Sequence, residues 1–201
     1  MITLDRSLHQ LPAEYFGSTE DFHISANCAE TDTLMIACSD QGAAPNNVSF
    51  ARPGRFLVLQ HLAASIRPAD DYAGNSVIAD IEFAFSQHAI KHVIICGHLG
   101  CGVIPYWLNY PDAPDSSGMR AHFEKTTLQV VNQAYPKYCG EARVKAMICE
   151  HTLFQIEHLC SHPFVLDRLE SQLLQVHAWI VNDDTARVSA YDPISGCLAA
   201  I

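Results

Sequence analysis

Short runs of apolar residues that end abruptly at turns alternate along this chain with longer stretches of helical periodicity. Three of these runs lie at residues 33–38 (TLMIAC), 54–63 (GRFLVLQHLA) and 93–96 (VIIC). Continuous apolar runs of this length are typical of buried strands in a parallel sheet. Because parallel strands need crossover connections, the intervening stretches are expected to be helical. The sequence therefore predicts an α/β fold with a mostly parallel sheet flanked by helices.

The helical stretches carry apolar residues at spacings of three and four. In residues 75–90 this spacing places Ile78, Ile81 and Phe85 on one face. A strand and a hairpin partner are predicted near the end of the chain, at 176–183 and 186–192. The other predicted helices begin near Gly100, span 117–134 and 141–160, and begin again at Pro163.

Length and charge limit the classes of protein that fit this chain. Its 201 residues suffice for one well-filled core, so we expect a single domain over residues 1–201. A formal net charge of −10 without a basic cluster excludes nucleic acid as a partner. The first residues lack the pattern of an export signal, and no segment has 18 apolar residues without a charge. We therefore expect a cytoplasmic protein without a membrane partner.

Eight cysteines occur in the chain. Since no export signal is recognised, reduced thiols or metal ligation are expected in place of a disulfide framework. Cys96 lies in a predicted strand, and Cys149 and Cys160 have helical spacing. These three are predicted to be small buried hydrophobes.

Two segments with potential metal ligands directly follow predicted strands. They are Cys38-Ser39-Asp40 and His98-Leu99-Gly100-Cys101. Because ligands gather at the carboxyl ends of strands in an open α/β sheet, Cys38, His98 and Cys101 can converge. Two thiolates and an imidazole suit zinc and leave a fourth position for water, whose pKa zinc lowers to ~7. Spacing and placement leave two interpretations open, a catalytic zinc site for hydration or hydrolysis and a pair of buried structural thiols.

The two segments MIACSD and VIICGHLGCG resemble the zinc motifs C-x-D-S-R and G-H-x-x-C-G of β-class carbonic anhydrases. Residues 53–63 resemble the family's P-G-x-x-F-V-x-R-N-x-A strand. Residues 153–180 resemble its segment with Q-V-x-x-L, a proline and H-G-W. The resemblance implies a sheet of about four parallel strands with a fifth at its edge. It also implies Zn²⁺ held by Cys38, His98 and Cys101, and a homodimer or an assembly of dimers.

The chain departs from the first motif after Asp40, because Gly42 occupies the position of the family's arginine. In the family, that arginine holds the aspartate by a bidentate ion pair, away from the metal. Without it, Asp40 is free to become a fourth zinc ligand and to close the site. Arg52, just before the second strand, is a candidate replacement cation. The alternative is that Arg52 is an ordinary solvated loop charge.

Four further positions bear on the pocket that the resemblance implies. Gln60 and His61 stand where the family has R-N, and Val103 replaces the second glycine of C-G-G and is expected to narrow the pocket. His61 is either a proton carrier or a neutral core histidine in the place of the asparagine. The backbone amide of Gly102 is expected to favour negative charge that develops on the substrate oxygen.

The resemblance implies a zinc lyase, carbonate dehydratase, that hydrates carbon dioxide reversibly to bicarbonate through zinc-bound hydroxide oriented by Asp40. Two alternatives remain open. A catalytically silent zinc protein would have Asp40 as its fourth ligand. A hydrolase would act on another small electrophile, such as carbonyl sulfide or carbon disulfide. The fourth ligand distinguishes the silent protein from the enzymes, and sulfide release identifies the hydrolase.

Overall fold

A six-stranded sheet organises the computed structural model, which describes residues 4–18, 31–40, 56–71, 76–115 and 117–201. The strand order is β2-β1-β3-β4-β5-β6. Strands β1 to β4 are parallel, and β5 and β6 continue the sheet in antiparallel pairing. The strands are β1 Thr33–Cys38, β2 Phe56–His61, β3 His92–His98, β4 Gln175–Asn182, β5 Arg187–Asp192 and β6 Cys197–Ala200.

Six helices connect or follow these strands in the described part of the chain. The longest, α5, is buried over most of its length and packs on β3 and β4. Helix α6 begins at Pro163, as predicted, because proline is tolerated in the first turn. The helices are α1 Ser76–Gln87, α2 Val103–Asn109, α3 Met119–Phe123, α4 Gln129–Ala134, α5 Gly140–Cys160 and α6 Pro163–Glu170, with a π-helical turn at Glu124–Leu128 and 3₁₀ turns at Arg6–Leu8, Ala13–Tyr15 and Leu62–Ala64.

Strand β1 divides its side chains between two apolar clusters, because successive residues of a strand point to opposite faces. Leu34, Ile36 and Cys38 belong to the larger cluster, which includes the helices. Met35 and Ala37 belong to a smaller cluster that, among the described residues, contains no helical side chain. The chemistry-bearing Cys38 therefore faces the helical side of the sheet.

The parallel register brings the ends of β1 and β3 to one edge of the sheet. Ala37 pairs with Cys96, and His98 pairs with Val181 of β4. Cys38 and His98 are the last residues of their strands. The turn after β3 leads into α2 and carries Cys101. This edge is where the candidate site lies.

The predicted α/β fold is confirmed, with one strand more than the predicted four to five. The additional strand, β6, has only four residues and no alternation of apolar and polar side chains. The predicted burial of Cys96, Cys149 and Cys160 is also confirmed, and burial raises the pKa of each thiol to about 12. Within the described ranges, no helix has the length and apolar character needed to cross a membrane.

Candidate metal centre

The structure brings Cys38, His98 and Cys101 together. One potential ligand atom from each lies within 4.8 Å of the others. All three side chains are buried, with 2%, 1% and 6% of their surface exposed. His98 and Cys101 are close in the sequence, but Cys38 precedes His98 by 60 positions. The pairing of β1 with β3 therefore brings Cys38 to the other two. The donor set of two sulfurs and one imidazole fits zinc.

The imidazole of His98 has one nitrogen engaged and one available. Its Nδ1 lies 2.9 Å from Oδ1 of Asp183. Its Nε2 is buried without a nitrogen or oxygen partner in the described part of the chain. Although burial opposes the shift, the nearby sulfur of Cys38, together with Asp183, raises the pKa of the ring. A buried polar atom without a partner is costly, and a metal ion in the cluster would remove that cost. The available atom is therefore the one that fits a metal-ligand role.

A hydrogen bond between the two sulfurs shifts the pKa values of the two thiols in opposite directions. Donation from the Cys101 thiol lowers the pKa of Cys38 to about 5, although burial opposes this shift. The same hydrogen bond, together with burial, raises the pKa of Cys101. The opposite directions of these two pKa shifts have their cause in the proximity of the two sulfurs. A divalent cation bound here would be held by both sulfurs as thiolates, with release of any thiol proton.

Backbone amides add to the stabilisation of Cys38 as a thiolate. The Asp40 amide donates to Cys38 Sγ over 3.4 Å, and the Ala63 amide also lowers the pKa of Cys38. Ala63 and the next residue, Ala64, adopt φ values of 54° and 53°. Non-glycine residues in this left-handed region cost about 1 kcal/mol or more each. The chain therefore maintains a strained turn directly beside the candidate ligand.

Asp40 lies beside the cluster but is not part of its group of ligand atoms. Its Oδ2 accepts a hydrogen bond of 2.7 Å from the backbone amide of Gly102. A Cβ at position 102 would lie 3.0 Å from the same oxygen, so glycine permits the close approach. The amide that was expected to face a substrate oxygen is thus directed at Asp40 in this structure.

A cleft of about 490 Å³ opens beside Asp40. We call it the Asp40 cleft. Val103 lies on its wall, as does the buried Trp107, whereas Leu62 and Tyr106 are about half exposed at 45% and 48%. The lining residues are Ser39, Asp40, Leu62, Gly102, Val103, Tyr106, Trp107, Pro114, Asp115 and Ser117.

The other pocket candidates from the sequence have different surroundings. Gln60 is exposed, and its Nε2 donates to the carbonyl oxygen of Cys38 at 3.2 Å. His61 does not line the Asp40 cleft, its Nε2 is buried without a described partner, and burial lowers its pKa to about 4. Arg52 and Gly42 lie outside the described residues, so the role of Arg52 as a replacement cation stays a prediction.

Asp183 is the polar neighbour that sequence reasoning missed. One of its oxygens contacts His98 Nδ1, and the other accepts the backbone amide of Gly100. It directly follows β4, the strand that pairs with β3. Histidine ligands commonly donate their second N–H to a carboxylate. The sequence signal for Asp183 is therefore a carboxylate directly after the strand that neighbours the strand of His98.

Comparison with known proteins identifies relatives over most of the chain. A family model described as carbonic anhydrase matches residues 33–188. The carbonic anhydrase of Pseudomonas aeruginosa is 28% identical over 165 residues, which cover 81% of this chain and 74% of that protein. The carbonic anhydrase of Synechococcus elongatus is 29% identical over 193 residues, which cover 94% and 70%.

A solved structure extends the similarity to the fold. The β-carbonic anhydrase CcaA superimposes with a TM-score of 0.78 at 27% sequence identity, covering 93% of this chain and 92% of that one. The region matched by the family model contains Cys38, His98 and Cys101.

Proposed function

The chain belongs to the carbonic anhydrase family, and we propose that it catalyses the reversible hydration of carbon dioxide to bicarbonate with one Zn²⁺ held by Cys38, His98 and Cys101. The observation that carries this proposal is the buried cluster itself. Its three ligand atoms lie within 4.8 Å of one another, and the Asp40 cleft is lined by Ser39 and Gly102, the chain neighbours of Cys38 and Cys101. Three protein ligands leave one position for the reaction.

Zinc, when bound, supplies the Lewis acidity that activates water as a nucleophile near neutral pH. The chain's own residues have to bind carbon dioxide, orient the water and accept its proton. The apolar walls that Val103 and Trp107 give the Asp40 cleft suit a small nonpolar substrate. The carboxylate of Asp40 is the hydrogen-bond acceptor beside the cluster, and it has a second oxygen with which to orient the reacting water.

The Gly102 amide supports an open site in spite of the missing motif arginine. It donates to Oδ2 of Asp40 at the start of α2, and the carboxylate is not in the group of ligand atoms. A backbone donor cannot rotate away as a side chain can. For Asp40 to become a fourth ligand through this oxygen, the carboxylate would have to give up the Gly102 hydrogen bond. This cost favours the enzyme over the catalytically silent alternative.

We extend the proposal to a homodimer or an assembly of dimers, since large apolar side chains are exposed at the rim of the Asp40 cleft. Leu62 and Tyr106 line it while half exposed, and Tyr110 follows one turn after Tyr106 with 59% exposure. A second subunit over these side chains would remove them from water and would exclude solvent from the cleft. The seven described cysteines are free thiols, which suits the reducing cytoplasm as the proposed compartment.

Stopped-flow measurement of carbon dioxide hydration tests the proposed activity. The zinc-loaded protein is assayed from about pH 6.5 to about pH 9, on both sides of the pKa near 7 that zinc gives to bound water. Rapid hydration that disappears in Cys101→Ser supports the proposal. Stoichiometric zinc with no rate above the Cys101→Ser background at any pH would overturn it. A parallel assay of sulfide release from carbonyl sulfide tests the hydrolase alternative.

A further inference from the structure

Asp183 connects two parts of the turn that carries the candidate ligands after β3. Its Oδ1 lies 2.9 Å from His98 Nδ1, and its Oδ2 accepts the amide of Gly100. The side chain of His98 is 1% exposed and that of Asp183 is 20% exposed. Asp183 itself directly follows the last residue of β4. One carboxylate thus fixes both the imidazole and the backbone that leads to Cys101.

We propose that Asp183 is a positioning residue that holds the proton of His98 on Nδ1 and so presents a bare Nε2 to the metal. This inference rests on the proposed function only in that it requires zinc at Cys38, His98 and Cys101. It does not depend on which substrate is turned over. The hydrogen bond to the carboxylate also fixes the orientation of the His98 ring. The ring is 1% exposed, so protein atoms surround it on its other sides.

The two partners of Asp183 explain why the position needs a carboxylate. The Gly100 amide is always a donor, and His98 Nδ1 is a donor in the tautomer that leaves Nε2 bare. A carboxylate accepts both hydrogen bonds, one on each oxygen. An asparagine has one acceptor and one donor. If its oxygen faces Gly100, its NH₂ group faces Nδ1 and favours the proton on Nε2, where it blocks metal binding.

The opposite orientation of asparagine is also unfavourable. Its oxygen would then accept from His98, and its NH₂ group would face the N–H of Gly100. Two donors would oppose each other, and the turn toward Cys101 would lose its hydrogen bond. Asp183→Asn therefore disturbs the centre in either orientation, although it changes little in size.

Gly100 offers a second way to displace the carboxylate without removing its charge. A Cβ at position 100 would lie 2.7 Å from Oδ2 and 3.0 Å from Cγ of Asp183. The backbone φ of Gly100 is outside the left-handed region, so alanine is compatible with its conformation. Gly100→Ala is therefore expected to push the Asp183 side chain away from His98 while both residues are retained.

Zinc affinity measured by competition with a chelator is the first test. We expect zinc binding to weaken about 10- to 100-fold in Asp183→Asn and in Gly100→Ala, the range typical for the loss of a partner of a metal-bound histidine. The matched control is Asp184→Asn, which removes an exposed carboxylate one residue further along. Its zinc affinity is expected to stay within about twofold of the wild type.

Ring ¹⁵N NMR of the metal-free protein is the second test, because it shows which nitrogen of His98 carries the proton. If Asp183 had a purely structural role, its substitution would leave the position of this proton unchanged. The His98 signals are assigned by their absence in His98→Ala. The spectra are recorded at a pH high enough to leave the His98 ring neutral because, although burial opposes the shift, Cys38 and Asp183 raise its pKa. Under this condition we expect the wild type to carry the proton on Nδ1 and Asp183→Asn to shift it toward Nε2. Circular dichroism verifies folding, and Gly100→Ala serves if Asp183→Asn does not fold. Zinc affinities within about twofold of wild type in the folded variants, or an unchanged His98 tautomer in Asp183→Asn, would overturn the proposal.

The two readouts separate this inference from the proposed function. Wild-type protein that binds zinc but does not hydrate carbon dioxide contradicts the proposed function and leaves the role of Asp183 supported if the variants lose affinity. Wild-type protein that hydrates carbon dioxide, with variants that bind zinc equally well, contradicts only the role of Asp183.

Discussion

The backbone amide of Gly102 donates a hydrogen bond of 2.7 Å to Oδ2 of Asp40, at the point where the metal-ligand turn enters α2. This contact links the segment after β1 to the segment after β3. In the family motif, an arginine binds this aspartate, but Gly42 occupies the position of that arginine here. The Gly102 amide gives the Asp40 carboxylate a donor from the backbone instead. In the proposed zinc site, Asp40 would leave the site open while it stays with Gly102 and would close it by coordinating the metal.

Replacement of Asp40 by asparagine distinguishes these two states. In the open state, Asp40→Asn leaves one acceptor oxygen for two donors, the Gly102 amide and the reacting water, so we expect kcat/KM for carbon dioxide to fall by about 10²-fold or more. Zinc should remain stoichiometric, because three ligands are untouched. Stopped-flow kinetics and metal analysis on the same sample measure both quantities.

Asp112→Asn is the matched control, since it removes an exposed carboxylate in the turn after α2. It should retain the wild-type rate. If Asp40→Asn instead releases zinc while the rate was already negligible in the wild type, Asp40 is a fourth ligand and the open state is wrong.

The cysteine ligands give a prediction about metal content. Cys101→Ser removes a thiolate that zinc needs, so we expect the purified protein to lose stoichiometric zinc and to unfold at a lower temperature. Cys139→Ser is the control, because Cys139 is exposed and far from the cluster in sequence. Elemental analysis after dialysis checks the result. Equal zinc contents in both variants would show that Cys101 is not a ligand.

Sequence patterns were sufficient to predict that the candidate metal ligands lie together, but not to identify the groups that contact them. Cys38, His98 and Cys101 follow buried strands, and strand ends of a parallel sheet meet at one edge whatever the details of packing. Asp183 is 85 positions from His98, and Gly102 is 62 positions from Asp40. Such contacts depend on register and on side-chain rotamers, which no local pattern encodes. Strand β6 was missed because four residues are too few to show a period.

An ionic cluster of His9, Glu150 and Glu157, which includes none of the candidate metal ligands, predicts how stability changes with pH. Nε2 of His9 lies 2.7 Å from Oε2 of Glu150, and its Nδ1 lies 3.0 Å from Oε1 of Glu157. Burial lowers the pKa of His9, but the hydrogen bonds to the two glutamates outweigh burial and raise it to about 9. Tyr135 donates to the other oxygen of Glu150, and Asp5 adds a further negative charge nearby. His9 is therefore charged at neutral pH and fixes the N-terminal segment to α5.

The raised pKa sets the sign of the pH effect. The ordinary value for histidine is 6.5, so the stabilisation is complete below about pH 6.5 and is lost as the pH rises through about 9. At about 1.4 kcal/mol per pKa unit, the free energy of unfolding should fall by up to about 3 kcal/mol over this range. We expect His9→Gln to remove most of this slope, with His88→Gln as the control. Chemical denaturation at several pH values measures it, and a slope that is the same in His9→Gln would contradict this account.

The rim of the Asp40 cleft provides the test of the proposed dimer. Tyr106 lines the cleft while 48% exposed, so a partner subunit over this surface would bury its ring. A buried carboxylate without a partner is costly, and Tyr106→Glu is expected to weaken the dimer enough to produce monomers at micromolar concentration. Leu173→Glu is the matched control, because Leu173 is 63% exposed but lies just before β4 and does not line the cleft. Light scattering coupled to size exclusion should give a mass of twice 22.2 kDa, or a higher even multiple, for the wild type and for Leu173→Glu. A wild-type mass of 22.2 kDa, or a Tyr106→Glu variant that remains dimeric, would show that this rim does not form the interface.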